Sequence, residues 1–207
     1  MKLSGHTYLL GRSLSMLGSI ASRVVNSPSA ARVVNRVHAK WDTESVTLTA
    51  TDGHRALTIT LASAGLHAAQ AEAVFQMGAD GWSEGQALHT IFRAPDGDVK
   101  VFGDAGGWNL GHVVDANYPS EAIVEIREDI LAGSGAVGAM EINPVYVAEG
   151  LAMINGLWAL VQHPAFPERV TMTIPDHKHA PMMFTSQFPE KQPLFRIEYI
   201  LMPYRTP

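Results

Sequence analysis

Two side chains near the first quarter of the chain have the types and spacing for acid–base chemistry. Asp52 and His54 lie in the stretch 50–56, which reads A-T-D-G-H-R-A. A carboxylate near an imidazole can hold and move a proton. Asp52-Gly53 is also a strong two-residue turn signal, because a type I′ turn needs positive φ at both positions. No nucleophile elbow or paired-carboxylate pattern accompanies the two residues, so the sequence favours a turn and predicts no catalytic residue.

Two other segments match the sequence patterns of ligand-binding motifs. Residues 133–138 read G-S-G-A-V-G, but the dinucleotide motif needs a strand before it and a helix directly after. An acidic run precedes this segment and an apparent strand follows it, which favours a loop. His177 and His179 form an H-x-H pair without a third ligand, which favours a polar turn over a metal site. Cysteine is absent, so thiolate chemistry is excluded, and we expect neither a metal nor a cofactor.

The strands that position the Asp52-Gly53 turn follow from a period-two pattern on both sides of it. A two-residue turn places Leu48 opposite Leu57 and Val46 opposite Ile59 on one apolar face. Threonines occupy most of the other face. The sequence therefore predicts a hairpin whose turn carries Asp52 and His54.

Three helices are predicted from apolar residues at helical spacing. The first covers 12–25, and the second runs from a capping box at 83–86 to Arg93. Asn143 is a good N-cap, with Pro144 at the first position of the third helix. The apolar face of the third helix carries Val147, Leu151, Ile154 and Trp158.

Strands are predicted between and after these helices, and the order of elements recurs. The chain reads as about three α/β units, each in the order strand, helix, three strands. Besides the hairpin, the predicted strands cover 31–40, 73–77, 99–102, 108–115, 170–174, 182–186 and 195–202.

Charge is unevenly distributed along the chain. Residues 1–41 hold six basic and no acidic residues, whereas the remainder holds nine basic and 20 acidic residues. A transit peptide and a basic surface for a polyanion both have this composition, and the periodic packing of the segment favours the surface. The longest apolar run, near 157–161, is too short to cross a bilayer. We therefore expect a soluble protein without membrane contact.

Four segments, in order, resemble the bacterial DNA sliding clamp, the β subunit family of DNA polymerase III. Residues 46–56 resemble its strand that runs into A-T-D-G-H-R-L, with alanine in place of the last leucine. Residues 114–119 resemble the end of its second domain, and 140–147 the start of its last helix, two residues shorter. Residues 199–205 resemble its C-terminal Y-V-V-M-P-M-R, with tyrosine in place of the second methionine.

The resemblance implies an α+β DNA clamp fold of repeated strand-helix-strands units, with antiparallel sheets outside and helices inside. Residues 1–125 would form a clamp domain like the family's second domain, with two α/β units. Residues 126–207 would form a partial domain like the C-terminal half of the third. The family's first domain has no counterpart in this sequence. Since a closed ring of the family has twelve units, about three units per chain predict a homo-oligomeric ring of four chains.

The same resemblance implies a function without chemistry. The ring would encircle double-stranded DNA without reading its sequence and tether the replicative polymerase as a processivity factor in DNA replication. Arg12, Arg23 and Arg93 would face the DNA phosphates. A cytoplasmic, phage-like clamp is expected from this reading. The alternative is a clamp-like decoy or scaffold that binds peptides and does not encircle DNA.

The family's partners, including the DNA polymerase and the clamp loader, dock short linear peptides into a hydrophobic pocket between the second and third domains. Residue-by-residue matching implies a corresponding pocket in this chain. Its residues would be Thr51, Gly53, His54, Arg55, Asn143, Tyr146, Met202, Pro203 and Arg205.

Overall fold

Ten strands and three helices make up the part of the chain that the computed structural model describes. That part comprises residues 4–21, 36–62, 71–77, 88–103, 106–113, 118–133, 142–161, 169–174, 180–188 and 194–203. The helices are α1 (Ser4–Ala21), α2 (Ser120–Ala132) and α3 (Pro144–Val161). The strands are β1 (Val37–Trp41), β2 (Ser45–Thr51), β3 (Arg55–Ala62), β4 (Ala71–Met77), β5 (Leu88–Arg93), β6 (Asp98–Gly103), β7 (Gly106–Val113), β8 (Thr171–Thr173), β9 (Met182–Phe188) and β10 (Phe195–Leu201).

The ten strands form a single sheet with antiparallel neighbours. Their order is β5-β6-β7-β4-β1-β2-β3-β10-β9-β8, so the hairpin of β2 and β3 lies near the middle. Strand β10 pairs with β3, which places Leu201 opposite Arg55 and Ile200 opposite Ala56. The last described strand therefore lies directly beside the turn at residues 52–54.

Two helices cover one face of the sheet and the third covers the other. Leu14, Leu17 and Ile20 of α1 are fully buried, in one core with Leu48 and Ile59 of the hairpin. Helix α3 joins the same core from the same side. Helix α2 packs in a second, smaller cluster. Because side chains alternate along a strand, both faces of β3 and β10 are covered near the turn.

Helix α3 packs unusually close to the sheet. A Cβ atom at Gly150 would lie 2.5 Å from Cδ1 of Tyr199, so only glycine allows the helix this approach. Ile154, Leu157 and Trp158 are buried, and the Trp158 indole donates a hydrogen bond to the Ser186 hydroxyl at 2.7 Å. By length and composition alone α3 could cross a membrane. In this structure it packs against α1 and β10 along one face, and 22% of it is buried.

The predicted hairpin forms, but its register differs from the prediction by two residues. Leu48 lies opposite Ile59 and Val46 opposite Leu61, instead of opposite Leu57 and Ile59. The turn is centred one residue later than predicted, because the amide of Asp52 donates to the carbonyl oxygen of Arg55 at 3.3 Å and leaves Gly53 and His54 between them. A shift of two residues keeps every side chain on its face, so the predicted apolar face is confirmed.

Several helix predictions are wrong. Residues 88–93, predicted as the end of the second helix, form strand β5, and residues 83–86 lie outside the described part. Ile91 is buried and Phe92 half-buried, the alternation of a strand. Helix α1 begins at Ser4 rather than residue 12, so no strand precedes it in the described part. Helix α2 was not predicted at all.

Other predictions of elements are confirmed. The side-chain oxygen of Asn143 accepts the amide of Val145 at 3.0 Å, and α3 begins at Pro144, as its capping signal predicts. On the apolar face of α3, Ile154 and Trp158 are buried, but Leu151 is 40% exposed. Strands β4, β6, β7, β8, β9 and β10 lie where period-two patterns predict them. The division of the chain at residue 125 stays a prediction.

Candidate partner-binding site

The turn between β2 and β3 is organised by the side chain of Asp52. Its Oδ1 accepts the amides of His54 at 3.0 Å and Arg55 at 3.1 Å. Thr51 donates its hydroxyl to the carbonyl oxygen of Arg55 at 2.6 Å and accepts the amide of Gly53 at 3.1 Å. Gly53 has φ of 84°, which an L-residue with a Cβ atom rarely adopts. Asp52 is therefore a structural turn residue, and His54 is exposed at the tip.

Arg55 is a buried cation at the base of this turn, with a relative exposure of 2%. Its Nε donates to Asp52 Oδ2 at 2.9 Å, and its Nη1 donates to Glu149 of α3. Nη1 also lies 3.2 Å from the hydroxyl of Tyr199, and the guanidinium stacks 4.5 Å from the ring centre of Tyr146. A buried charge requires this degree of pairing. Arg55 thus ties the turn to β10 and to the first turns of α3.

These contacts fix the protonation of both ends of the Arg55–Tyr199 hydrogen bond. Burial alone would lower the pKa of Arg55, but its contacts with Tyr199, Glu149 and Asp52 raise that pKa above the ordinary value. Burial raises the pKa of Tyr199 to about 12, against the opposing effect of Arg55. At neutral pH the arginine is charged and the phenol is neutral, so the contact is a charge-assisted hydrogen bond.

The end of β10 closes the site on its other side. The amide of Met202 donates to the carbonyl oxygen of His54 at 2.9 Å. Met202 is half-buried and Pro203 is buried. The structure thus brings together predicted pocket residues from three distant segments, namely Thr51, Gly53, His54, Arg55, Tyr146, Met202 and Pro203. Asn143 caps the helix that carries Tyr146, and Arg205 lies outside the described part. Their roles in binding stay predictions.

Three residues of this site carry contacts that the sequence prediction did not assign to it: Asp52, Glu149 and Tyr199. A signal for Glu149 was present, because it lies three residues after Tyr146 on one helix, where side chains are neighbours. The pairing of Arg55 with Tyr199 joins residues 144 positions apart in sequence. That contact depends on the pairing of β3 with β10.

An exposed imidazole, a half-buried thioether and a tyrosine ring stacked on an arginine are side chains of the kind that line peptide-binding grooves. Within the described residues, no group of three or more His, Asp and Glu side chains could hold a metal ion. The predicted polar turn with His177 and His179 and most of the glycine-rich segment lie outside those residues.

The arginines predicted to face DNA have different positions. Arg12 lies half-buried on α1, and a Cβ atom at Gly156 of α3 would approach its Nη2 to 3.0 Å. Arg93 is exposed, but it ends strand β5 and not a helix, so that prediction of its position is wrong. Arg23 lies outside the described part. Helix α3 contains no lysine or arginine.

Solved structures of bacterial sliding clamps share the fold of this chain. The DNA polymerase sliding clamp of Bacillus subtilis matches with a TM-score of 0.59 at 12% identity, over 97% of this chain and 63% of that chain. The β subunit of Streptococcus pyogenes DNA polymerase matches with 0.59 at 14% identity, over 97% and 64%. The sliding clamp of Pseudomonas aeruginosa matches with 0.60 at 12% identity, over 98% and 65%. When sequences are compared, no protein-family model and no curated protein matches this chain.

These matches confirm the α+β DNA clamp fold that the sequence resemblance predicts. Because the sequence identity to these clamps is only 12 to 14%, the similarity shows a shared fold and nothing more. The chain spans 63 to 65% of the length of these three clamps.

Proposed function

We propose that this chain is the subunit of a DNA sliding clamp, a processivity factor that encircles duplex DNA and tethers a replicative polymerase. One observation carries the proposal. Within a clamp fold, the turn at 51–55, the start of α3 and the end of β10 converge on Arg55, as a peptide pocket would require. The polymerase and the clamp loader bind there through short linear peptides. The activity is mechanical and needs no catalytic residue.

The ring forms through the ends of the sheet. In the described part, β5 and β8 are its two edge strands, at opposite ends of the order. Met172 of β8 is 50% exposed, and at the other end Phe102 is 51% exposed and stacks on Phe92 of β5 at 5.5 Å. Unlike edges that pair head to tail generate a closed ring if the rotation closes. A homo-oligomer of four chains, each with the ranges 1–125 and 126–207 as clamp segments, supplies that ring.

Contact with DNA comes from the helices and is independent of base sequence. Arg12 of α1 and Arg23 supply charge to phosphates, in an interaction that weakens as salt rises. Arg93 contributes from a strand end. The assembly works in the cytoplasm of a bacterium, as a compact, phage-like clamp.

A second candidate function is supported by the composition of α3. This helix carries Glu149 and no lysine or arginine. A chain with this helix could bind clamp-recognition peptides as a decoy or scaffold without enclosing DNA. Native mass spectrometry separates the two candidates, because a decoy can be monomeric and a ring cannot.

Retention on circular DNA tests the proposal. The protein is assembled on nicked circular plasmid, and the complex is passed through a sizing column at a salt concentration that dissolves phosphate contacts. A topologically linked ring stays with the circle and leaves when the plasmid is linearised. Release of the protein from circles by salt alone would contradict the clamp and favour the decoy.

A further inference from the structure

The sheet face covered by α2 carries an apolar patch beside the turn, which we call the outer patch: Ala56, Met183 and Ile200. Ile200 pairs with Ala56 on one side and with Met183 on the other. The three side chains therefore form a row across β3, β10 and β9. Their neighbours Leu57 and Tyr199 belong to the main core on the opposite face. The outer patch is buried in a cluster that α2 completes with Ile123, Ile126 and Ile130.

Helix α2 is held on the outer patch by few side chains. Of its thirteen residues, Ile123 and Ile130 are buried, while Val124 and Leu131 are 50% and 45% exposed. No side chain caps its N-terminus. A short helix of this kind owes its stability to tertiary packing. Its docking therefore depends on a small number of contacts.

Arg127 provides a polar anchor for α2. Its Nε donates to both carboxylate oxygens of Glu198, at 2.8 and 2.9 Å. Glu198 is 7% exposed and also accepts Nη2 of Arg196 at 2.5 Å. If Arg127 leaves, the buried carboxylate keeps Arg196 as a partner, which lowers the cost of its release.

The outer patch adjoins the candidate partner site at Met202, because Ile200 of β10 precedes Met202 by two residues. The Arg55 side chain lies on the opposite face of the sheet, since Ala56 directly follows Arg55 in β3. Tyr118, just before α2, donates its hydroxyl to the carbonyl oxygen of Thr49 at 3.2 Å. A peptide that seats an apolar anchor beside Met202 finds the adjacent apolar surface of the sheet occupied by α2.

We infer that α2 is a displaceable cover, and that an incoming peptide competes with it for the outer patch. This inference rests on the proposed function, because the natural competitor is the partner peptide proposed there. The chemistry of the contact defines that competitor. It is a short segment with two or three branched apolar side chains and one basic side chain that takes the place of Arg127 on Glu198.

The cover is tested with a probe of known sequence, a fluorescent synthetic peptide of residues 120–132. Its anisotropy is titrated with the wild-type chain, with Arg127→Gln, and with Lys100→Gln as a control. Lys100→Gln makes the same charge change in an exposed ion pair with Asp96, away from α2. If α2 leaves the outer patch more often, the chain binds a competing peptide more tightly, in proportion to the population in which the patch is open. We expect Arg127→Gln to bind the peptide at least about fivefold more tightly than wild type, and Lys100→Gln to match wild type.

Equal binding by all three chains, or binding by none, would show that α2 is a fixed part of the fold and overturn the inference. If Arg127→Gln fails to fold, Ile126→Ala replaces it, because Ile126 is only partly buried. The peptide assay uses neither DNA nor polymerase. A negative result therefore rejects only the displaceable α2, because the proposed clamp function is tested separately by retention on circular DNA.

Discussion

Met202 and His54 are joined through their backbones, the amide of the first donating to the carbonyl oxygen of the second at 2.9 Å. This bond links the end of β10 to the tip of a turn almost 150 residues earlier, and leaves both side chains available to a partner. We expect Met202→Ala combined with deletion of residues 204–207 to lose peptide binding and keep the oligomer. Peptide affinity is measured by anisotropy with a peptide selected against the wild-type chain, and mass by native mass spectrometry. Unchanged affinity would mean that the pocket lies elsewhere.

Arg55→Met should destabilise the fold strongly. The substitution leaves Asp52 and Glu149 without their buried cation, and breaking a buried pair from one side costs about 3 to 5 kcal/mol. Lys100→Met is the control, because its pair with Asp96 is exposed to solvent and contributes little to stability. Urea unfolding at neutral pH measures both. Equal effects of the two substitutions would refute the structural role of Arg55.

Two glycines of α3 should differ in their response to substitution by alanine. At Gly150 the added Cβ meets the Tyr199 ring at 2.5 Å, so Gly150→Ala is expected to cost about 1 to 3 kcal/mol by overpacking. At Gly156 the Cβ meets the flexible ends of Arg12 and Met16 at 3.0 Å, which can move. The better helix propensity of alanine, up to about 1 kcal/mol, then offsets the contact. Thermal unfolding measures the stability of both variants. If Gly150→Ala is as stable as the wild-type chain, the close approach of α3 to Tyr199 is contradicted.

Stability should fall at alkaline pH because of Tyr199. Its pKa is raised from about 10 to about 12 by burial, so the folded state favours the neutral phenol. This contribution is fully present below pH 10 and is lost as the pH rises towards 12, by about 2 kcal/mol. Burial also raises the pKa of Tyr118, which acts in the same direction. Urea unfolding at pH 9 and pH 11.5 should show a smaller loss for Tyr199→Phe than for wild type. An unchanged loss would assign the effect to other groups.

Gly53→Ala should weaken the turn, because its φ of 84° is strained for alanine. The expected cost is about 1 kcal/mol. Gly53→Asn should cost less, since asparagine tolerates the left-handed region. Open space surrounds Gly53, so any effect reports backbone conformation and not a clash. Equal stability of the two variants would argue against the strain.

The elements that the sequence predicted correctly are those with a local signal. The Asn143-Pro144 helix start and the apolar faces of the hairpin depend on neighbouring residues. The hairpin register was missed because hydrogen bonds of the Thr51 and Asp52 side chains hold a turn centred on Gly53 and His54, whereas the dipeptide rule centres it on Asp52 and Gly53. Strand β5 was misassigned because a capping pattern competed with a short strand. The buried pairing of Arg55 with Glu149 and Tyr199 depends on tertiary contacts that no local pattern encodes.

The position of β10 between β3 and β9 has a consequence for biosynthesis. The hairpin leaves the ribosome early, yet its neighbouring strand follows only after residue 201 has been synthesised. Such long-range pairing slows folding and leaves one side of β3 without a neighbour in the nascent chain. Completion of this sheet is therefore a late event, and truncation before β10 should yield an aggregation-prone fragment rather than a smaller folded domain.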